Sequence, residues 1–385
     1  MTATQPHTAP DLGGTSSPVH QGRRPRLLYV CLQQTVEGQA SYAHVHEIIA
    51  GLSRRGWQVD LREIQADRRP RRGKLYYLWH YLRPQLALWW KMPPADAMYI
   101  RADALALPAF LRAKLRGIPV LQEVNGPPSD RLVAKTWLRP FAPMLEALQR
   151  FQLRRSSALI AVTPRLVSWL HSEAPDIPVT LIPNGANTDL FHPGADSPIP
   201  VPDKFVILVG LLARWQGIPL LLTAAEHPDW PAGVSVLIAG SGDESTRIED
   251  AAQKNPRIQY LGIVPYRQVA GLVAKSLAGL SLKTAVEGRT ETGMSPLKLY
   301  ETLACGVPAI VTEYHGQAEV VRAHACGLIV SQDDAGELAR AVARVAQHPE
   351  ERAEWGRRGL AAVRTLHSWD QRAEMTDQLL RNLLS

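Results

Sequence analysis

Residues 26–61, RLLYVCLQQTVEGQASYAHVHEIIAGLSRRGWQVDL, decide the fold class. Arg26 to Leu32 is a short apolar run without polar alternation, the pattern of a strand buried on both faces of a parallel sheet. A polar loop with Gly38 follows. Tyr42, Val45, Ile48, Ile49 and Leu52 then recur at helical spacing. Gly56 stops that helix, and Trp57–Leu61 reads as the next strand. The strand–loop–helix–strand unit repeats: AMYIR, ALPAFLRAKLRG and IPVLQEV, then ALIAV, PRLVSWLHSE and VTLIPNG. Alternation of this kind means a parallel sheet covered by helices on both faces.

The alternation lapses at FHPGADSPIPVPDK, residues 191–204, where prolines and glycines crowd into a linker. It restarts with FVILVG, PLLLTAAEHP, VSVLIAGSGD, RIQYLG, YRQVAGLVAKS and LAGLSLK, and continues through GRTETGMSPLKLYETLACGVPAIV. AGELARAVARVAQHPEERAEWGRRGLAAVRT reads as helical, and SWDQRAEMTDQLLRNLL as a last amphipathic helix. The expected organisation is a disordered tail over residues 1–24, a first α/β domain over 25–195, a second over 196–365, and a closing helix over 366–385. Ligands of such sheets bind beyond the carboxyl ends of the strands, so the site belongs in the cleft between two facing domains.

Composition narrows the setting. Of 385 residues, 45% are apolar and 21% charged, which allows two cores of ordinary size. No apolar run reaches membrane-span length, and the first 24 residues carry no apolar signal core. Cys31, Cys305 and Cys326 lie far apart without metal-ligand spacing, so a cytoplasmic, reduced protein is expected. Residues 68–116 hold eleven Lys/Arg and two Asp, a net +9 against +7 for the whole chain. The same segment contains KLYYLWHYLRPQLALWWK. Cations beside interfacial aromatics suit an anionic membrane surface, at which the protein would sit peripherally. Nucleic acid and a plain solvated basic face are the competing readings.

Four places could carry chemistry. Glu123 and Asn125 follow a buried strand and should project into the cleft, as a base, a hydroxyl ligand, or a simple Asn-Gly turn. Arg214 sits in the loop after the strand ending at Gly210 and could bind phosphate. Ser295 is a good N-cap, with Pro296 in the first turn of a helix running to about Ala304. Amides near Met294, Ser295 and Leu297 would then point at an anion. Lys298 and Glu301 share that helix's face, as a diphosphate-and-ribose grip or as a surface ion pair.

SPLKLYETLACGVPAIV resembles the signature of family 4 glycosyltransferases of the GT-B fold, in the branch reading S-P-L-K-L-[FY]-E. EGQASYAHVHEIIAGLSRRGWQV is similar to that family's glycine loop and first helix. VTLIPNGANTDLFHP, VGLLARWQG and the closing helix also resemble its segments, in the same order. The resemblance implies two facing Rossmann-like domains, with a nucleotide-sugar donor held by the second and a glycan or lipid-linked acceptor by the first. It implies transfer with retention, no metal and no other cofactor. Glu301 matches the ribose-gripping second glutamate of E-x7-E. The first falls at Gly293, where Glu287 or Glu291 could substitute. The usual diphosphate clamp positions are Leu211 and Gln216 here, leaving Arg214 and Lys298 as candidates for that work. Catalytic expectations therefore fall on Glu123, Asn125 and Lys298. Donor-binding ones fall on Gly38, Arg214, Gln216, Gly293, Met294, Ser295, Leu297, Lys298 and Glu301. A nucleotide-sugar epimerase and a non-catalytic nucleotide-binding subunit are the alternatives.

Overall fold

The computed structural model describes residues 23–35, 40–64, 74–128, 136–286 and 292–385. The first domain runs β1 (Arg26–Gln34), α1 (Ala40–Arg54), β2 (Gln58–Ile64), α2 (Lys74–Trp90), β3 (Ala97–Arg101), α3 (Leu107–Leu115), β4 (Val120–Val124), α4 (Ala142–Leu153), β5 (Ala158–Ala161), α5 (Pro164–Glu173) and β6 (Val179–Leu181). These strands form one sheet in the order β2-β1-β3-β4-β5-β6, every pair parallel. Alternation along β1 divides the core between the two faces. Leu27, Tyr29 and Cys31 pack with Val45, Ile48 and Leu52 of α1. Leu28, Val30 and Leu32 pack with Phe110 of α3 and Leu88 of α2.

The second domain runs β7 (Phe205–Leu211), α6 (Ile218–Glu226), β8 (Ser235–Ser241), α7 (Ser245–Lys254), β9 (Ile258–Tyr260), α8 (Tyr266–Ala274), β10 (Ala278–Ser281), α9 (Leu297–Ala304), β11 (Ala309–Thr312), α10 (Gln317–His324), β12 (Gly327–Val330), α11 (Ala335–Gln347) and α12 (Pro349–Leu366). Its sheet order is β12-β11-β10-β7-β8-β9, again parallel throughout. The order reverses between β7 and β10, and the crevice beyond their carboxyl ends is where an open α/β sheet takes its ligand. The stretch expected as one helical run, residues 335–365, is two helices. Pro349 lacks the amide an uninterrupted helix would need and instead opens α12 in its first turn.

The chain passes between the sheets in residues 182–204 and returns at its end. α13 (Trp369–Asn382) lies on α1 of the first domain. Asp370 pairs with Arg54 and Arg55, and Trp57 Nε1 donates to Asp377. The two helices meet at Gly51, where an added Cβ would stand 2.3 Å from the Cβ of Ala373. The basic aromatic segment forms α2, a helix with Pro84 inside it. Trp79, Leu86 and Trp90 stay exposed along it. Among the described residues no helix is long and apolar enough to cross a membrane. The three cysteines are free and buried.

Candidate active site

The second-domain half of the site stands at the switch point between β7 and β10. After β7 the chain makes a short turn through Arg214–Gln216 and enters α6 at Gly217. Gly217 has φ +62°, and a Cβ there would press 2.7 Å from that of Leu282, so the turn closes this tightly only with glycine. The buried Gln216 is thereby held between two lysines. Its Oε1 accepts from Lys283 Nζ at 2.8 Å, beyond the end of β10, and from Lys298 Nζ at 3.0 Å, from the first turn of α9. Lys298 also reaches the end of β7: a Cβ on Gly210 would meet its Cε and Nζ at 3.7 Å. Burial pulls the Lys298 ammonium down to about 8, against the raising effect of Glu301.

Glu301, one turn further along α9, is buried and accepts from Tyr266 Oη at 2.6 Å. Burial pushes its carboxyl up to about 7; Tyr266 and Lys298 oppose that rise and Glu47 adds to it. Lys298 and Glu301 form no ion pair with each other. Each turns inward to its own partner, so the surface-pair reading of this helix fails. Arg214 is exposed, and no described contact brings its side chain to the lysine pair.

The start of α9 departs from the sequence expectation. Ser295 is not the N-cap; Pro296 holds that position in extended backbone, without a side-chain cap. Ser295 Oγ instead accepts from the backbone amide of Asn184 at 2.9 Å and pairs with Tyr300 Oη at 3.0 Å. The Met294 amide donates to the His315 carbonyl at 2.9 Å, so it is already committed and is no free anion donor. Leu297 is buried within the first domain's core beside Val45 and Ile48. Gly293 has φ +83°, and a Cβ there would stand 3.0 Å from the His315 carbonyl oxygen. That conformation excludes a glutamate side chain at low cost, which explains the glycine. Gly38, Glu287 and Glu291 lie outside the described residues.

The first-domain half corrects the expectation for Glu123. This carboxylate is only 2% exposed and is surrounded. Tyr99 Oη donates to Oε2 at 2.5 Å, His44 Nε2 lies 2.7 Å from the same oxygen, Asn125 Nδ2 donates to Oε1, and Arg101 pairs with it at 3.3 Å. Burial alone would raise its pKa. The neighbouring His44 and Arg101, with the hydrogen bonds of His44 and Tyr99, outweigh burial and hold it well below the usual carboxylate range. A carboxylate so stabilised and enclosed is a poor general base, and its hydrogen bonds fix the orientation of His44 and Asn125. Asn125 itself stays exposed beyond the end of β4.

Four site residues went unread in the sequence. His44 lies in the first helix, among apolar residues at helical spacing that give no sign of a polar contact. Asn184 sits before a glycine, the pattern of a turn, yet its Oδ1 faces His44 Nδ1 at 2.8 Å and its Nδ2 donates to the Ser295 carbonyl at 2.5 Å. Tyr266 reveals itself only through its distant partner. Lys283 did carry a signal, since a lysine two residues beyond the buried strand Ala278–Ser281 meets the same strand-end rule that singled out Glu123.

Two facing, fully parallel domains with a cationic crevice at the second switch point define a glycosyltransferase of the GT-B fold. Residues 195–361 match the family model for glycosyl transferases group 1, and residues 43–190 that for glycosyltransferase family 4. The chain belongs to this group 1/family 4 of glycosyltransferases. Over 259 residues it is 26% identical to the lipopolysaccharide core biosynthesis mannosyltransferase LpcC of Rhizobium leguminosarum bv. viciae, covering 62% of this chain and 68% of that one. In fold it is similar to the sucrose-phosphate synthase of Thermosynechococcus elongatus, with TM-score 0.74, 20% identity, and 94% and 99% of the two chains covered. It is also similar to Anabaena HepE in complex with UDP, at TM-score 0.69, 15% identity, and 93% and 100% coverage.

Proposed function

We propose that the protein transfers a hexosyl group, with retention, from a nucleotide-diphosphate sugar to a glycan or lipid-linked acceptor in cell-surface polysaccharide or glycolipid synthesis. The observation that carries this reading is the pair Lys283 and Lys298 on Gln216, one turn of helix from Glu301, at the β7/β10 switch point. A diphosphate needs cations where its charge grows as the sugar leaves, and a ribose diol needs a carboxylate. The pair and Glu301 offer both. The bond between the anomeric carbon and the β-phosphate oxygen breaks, a bond to the acceptor hydroxyl oxygen forms, and the hydroxyl proton passes to the departing phosphate. Lys298 offsets that phosphate's charge, and Glu301 holds the ribose. HepE, with the same fold, was solved with UDP and with UDP-glucose, and LpcC is a mannosyltransferase, which supports a UDP- or GDP-linked hexose.

The acceptor side extends to the membrane. The exposed Trp79, Leu86 and Trp90 of α2, with exposed Arg83 between them, suit a peripheral dock on an anionic leaflet, where a lipid-linked acceptor would be met.

The test is acceptor-dependent release of nucleotide from a panel of UDP-, GDP- and dTDP-sugars, with Lys298→Ala beside the wild type. Lys298→Ala should weaken donor binding by more than about tenfold, because it removes a charge paired with phosphate. Unchanged donor affinity would sink the assignment. Conversion of the sugar without acceptor would point to an epimerase instead.

A further inference from the structure

We propose that the first domain carries a separate carbohydrate site, a cavity between α4 and α5 that holds one pyranose unit of the glycan acceptor away from its reacting end. This rests on the glycosyltransferase reading above and narrows the acceptor to a glycan of more than one sugar.

Place comes first. A cavity of about 140 Å³ opens where α4 and α5 face each other. Glu146, Gln149, Arg150 and Leu153 line it from α4 at i, i+3, i+4 and i+7, one stripe of that helix, and Trp169 and Glu173 line it from α5, one turn apart. Arg150 pairs with Glu173, and Arg154 Nε donates to the Glu173 carbonyl at 2.7 Å, so the two helices are tied together beside the opening. Pro127 and Pro128 form a further wall, in the loop after β4 that also carries Asn125. Loops at strand ends border the cleft of an open α/β sheet. α5 begins at the contact between the domains, where Thr163 donates to the Thr292 carbonyl. The cavity therefore adjoins the acceptor half of the cleft and is separate from the donor crevice.

Chemistry comes second. Gln149 is 2% exposed, and its side-chain amide makes no hydrogen bond among the described residues. Three residues on, the equally buried Gln152 donates to the Ala104 carbonyl at 3.1 Å, as a glutamine with a structural part does. A residue that only packed α4 against α5 would be apolar, as Leu153 is. A buried amide with donor and acceptor both unpaired, lining a cavity, matches a ligand that offers both at once, as hydroxyl groups do. The half-buried Trp169 and the two prolines add apolar walls, and Glu146 adds an acceptor for hydroxyls. A pyranose has an apolar ring face and hydroxyls around its edge. An anion fits poorly, because Arg150, the cation among the described lining residues, is already paired with Glu173. The volume is about ten times the roughly 10–15 Å³ that admits one water, and short of the roughly 300 Å³ at which sites for larger ligands begin. It suits a single small ring.

The experiment titrates the methyl glycosides of mannose, glucose and galactose, with sorbitol as an open-chain control, into the wild type and Gln149→Leu. Both proteins are first saturated with whichever of UDP, GDP and dTDP the wild type selects, which fills the donor crevice, and saturation-transfer NMR reads the binding. The wild type should bind at least one glycoside in the millimolar range and no sorbitol. Gln149→Leu should bind that glycoside about tenfold or more weakly, because it removes both hydrogen-bonding groups of the buried amide. It should fold as the wild type does, since an apolar side chain of similar size replaces an unpaired buried amide, and its nucleotide affinity should not change. A wild type that binds no glycoside, equal glycoside affinity in Gln149→Leu, or equal binding of sorbitol overturns the proposal. A free hexose bound more tightly than its methyl glycoside also overturns it, since a unit inside a glycan has no free anomeric hydroxyl. Should Gln149→Leu not fold, Trp169→Leu decides: it keeps an apolar wall and removes the flat face, so glycoside binding should be lost, and retained affinity overturns the proposal. Nucleotide binding without glycoside binding sinks the cavity alone. A wild type that binds none of the three nucleotides sinks the transferase reading instead, a result distinct from the failure of the cavity.

Discussion

Lys298 and Glu301 both pay for their position, and the signs of their shifts fix a pH window. Glu301 is raised from 4.5 to about 7 by burial, so the fold favours its neutral form. Its contribution to stability is complete below the unfolded value and is lost as pH rises to about 7. Lys298 is lowered from 10.5 to about 8, again first by burial. Its contribution is present above the unfolded value and lost as pH falls through about 8. These two groups therefore weaken the fold most between about 7 and 8, where the lysine is charged and the carboxylate ionised. That is also the state a donor needs. Nucleotide affinity should rise as pH climbs through about 7 and fall again above about 8. Glu301→Gln should flatten the acid limb relative to wild type, with the ligand's own titration common to both. Calorimetric titrations of UDP and GDP from pH 5.5 to 9 measure this; an acid limb of the same size in Glu301→Gln would refute the role given to that carboxylate.

Among the elements, the strands were the most legible. Buried parallel strands read as bare apolar runs, as RLLYV and FVILVG do, and the helices between them show their spacing. α2 was harder. Its residues are aromatic on nearly every face and Pro84 interrupts it, so no helical stripe stands out, and only its composition drew attention. The folded helix separates what the sequence mixes. Leu88 and the neighbouring Met92 face the core, while Trp79 and Trp90 are 56% and 78% exposed. Exposed tryptophan beside arginine is costly in water and favourable at a headgroup layer. Vesicles with anionic lipid should recruit the protein at low salt and release it as salt rises. Trp79→Ser/Trp90→Ser should lose most of that recruitment while binding UDP or GDP as the wild type does. Equal flotation of both proteins, or no flotation of either, rejects the membrane reading of α2. The site residues show the opposite limit of legibility. Strand-end position pointed to Glu123 and could have pointed to Lys283. What each side chain touches depends on partners far away in the chain, such as His44 and Glu123 or Asn184 and Ser295, and no local pattern encodes those pairings.

At the scale of the whole molecule, the two sheets meet through the start of α9. Asn184 lies in the passage between domains and bonds Ser295 through its amide and its side chain, while its Oδ1 faces His44, whose other nitrogen faces Glu123. Thr163 Oγ1 donates to the Thr292 carbonyl at 2.5 Å, Asn187 Nδ2 donates to Glu47 at 2.6 Å, and Leu297 lies in the first domain's core. At the return crossing the Ala186 amide donates to His367 and the Ala186 carbonyl accepts from Trp369. A side chain on Gly185 would run into the His367 carbonyl at 2.6 Å, so the Asn-Gly pair serves this crossing as well as a turn. The helix proposed to hold the donor is thus fixed at its first residues to the domain proposed to hold the acceptor. Asn184→Ala removes two of these links and leaves the Ser295 carbonyl and the His44 ring without them. That should cost about 1–3 kcal/mol in urea unfolding, the range for stranding buried polar groups. α9 itself stays packed between β10, β11 and α12, so affinity for UDP or GDP should change little. Turnover, which needs both domains in register, should fall at least about tenfold, since small misplacements of reacting groups are expensive. X-ray scattering of the unliganded variant should give a larger radius of gyration than wild type. If scattering and turnover are both unchanged while stability falls, Asn184 acts only as a packing residue, and the coupling between the two halves of the site runs through Leu297 and the α13 crossing instead.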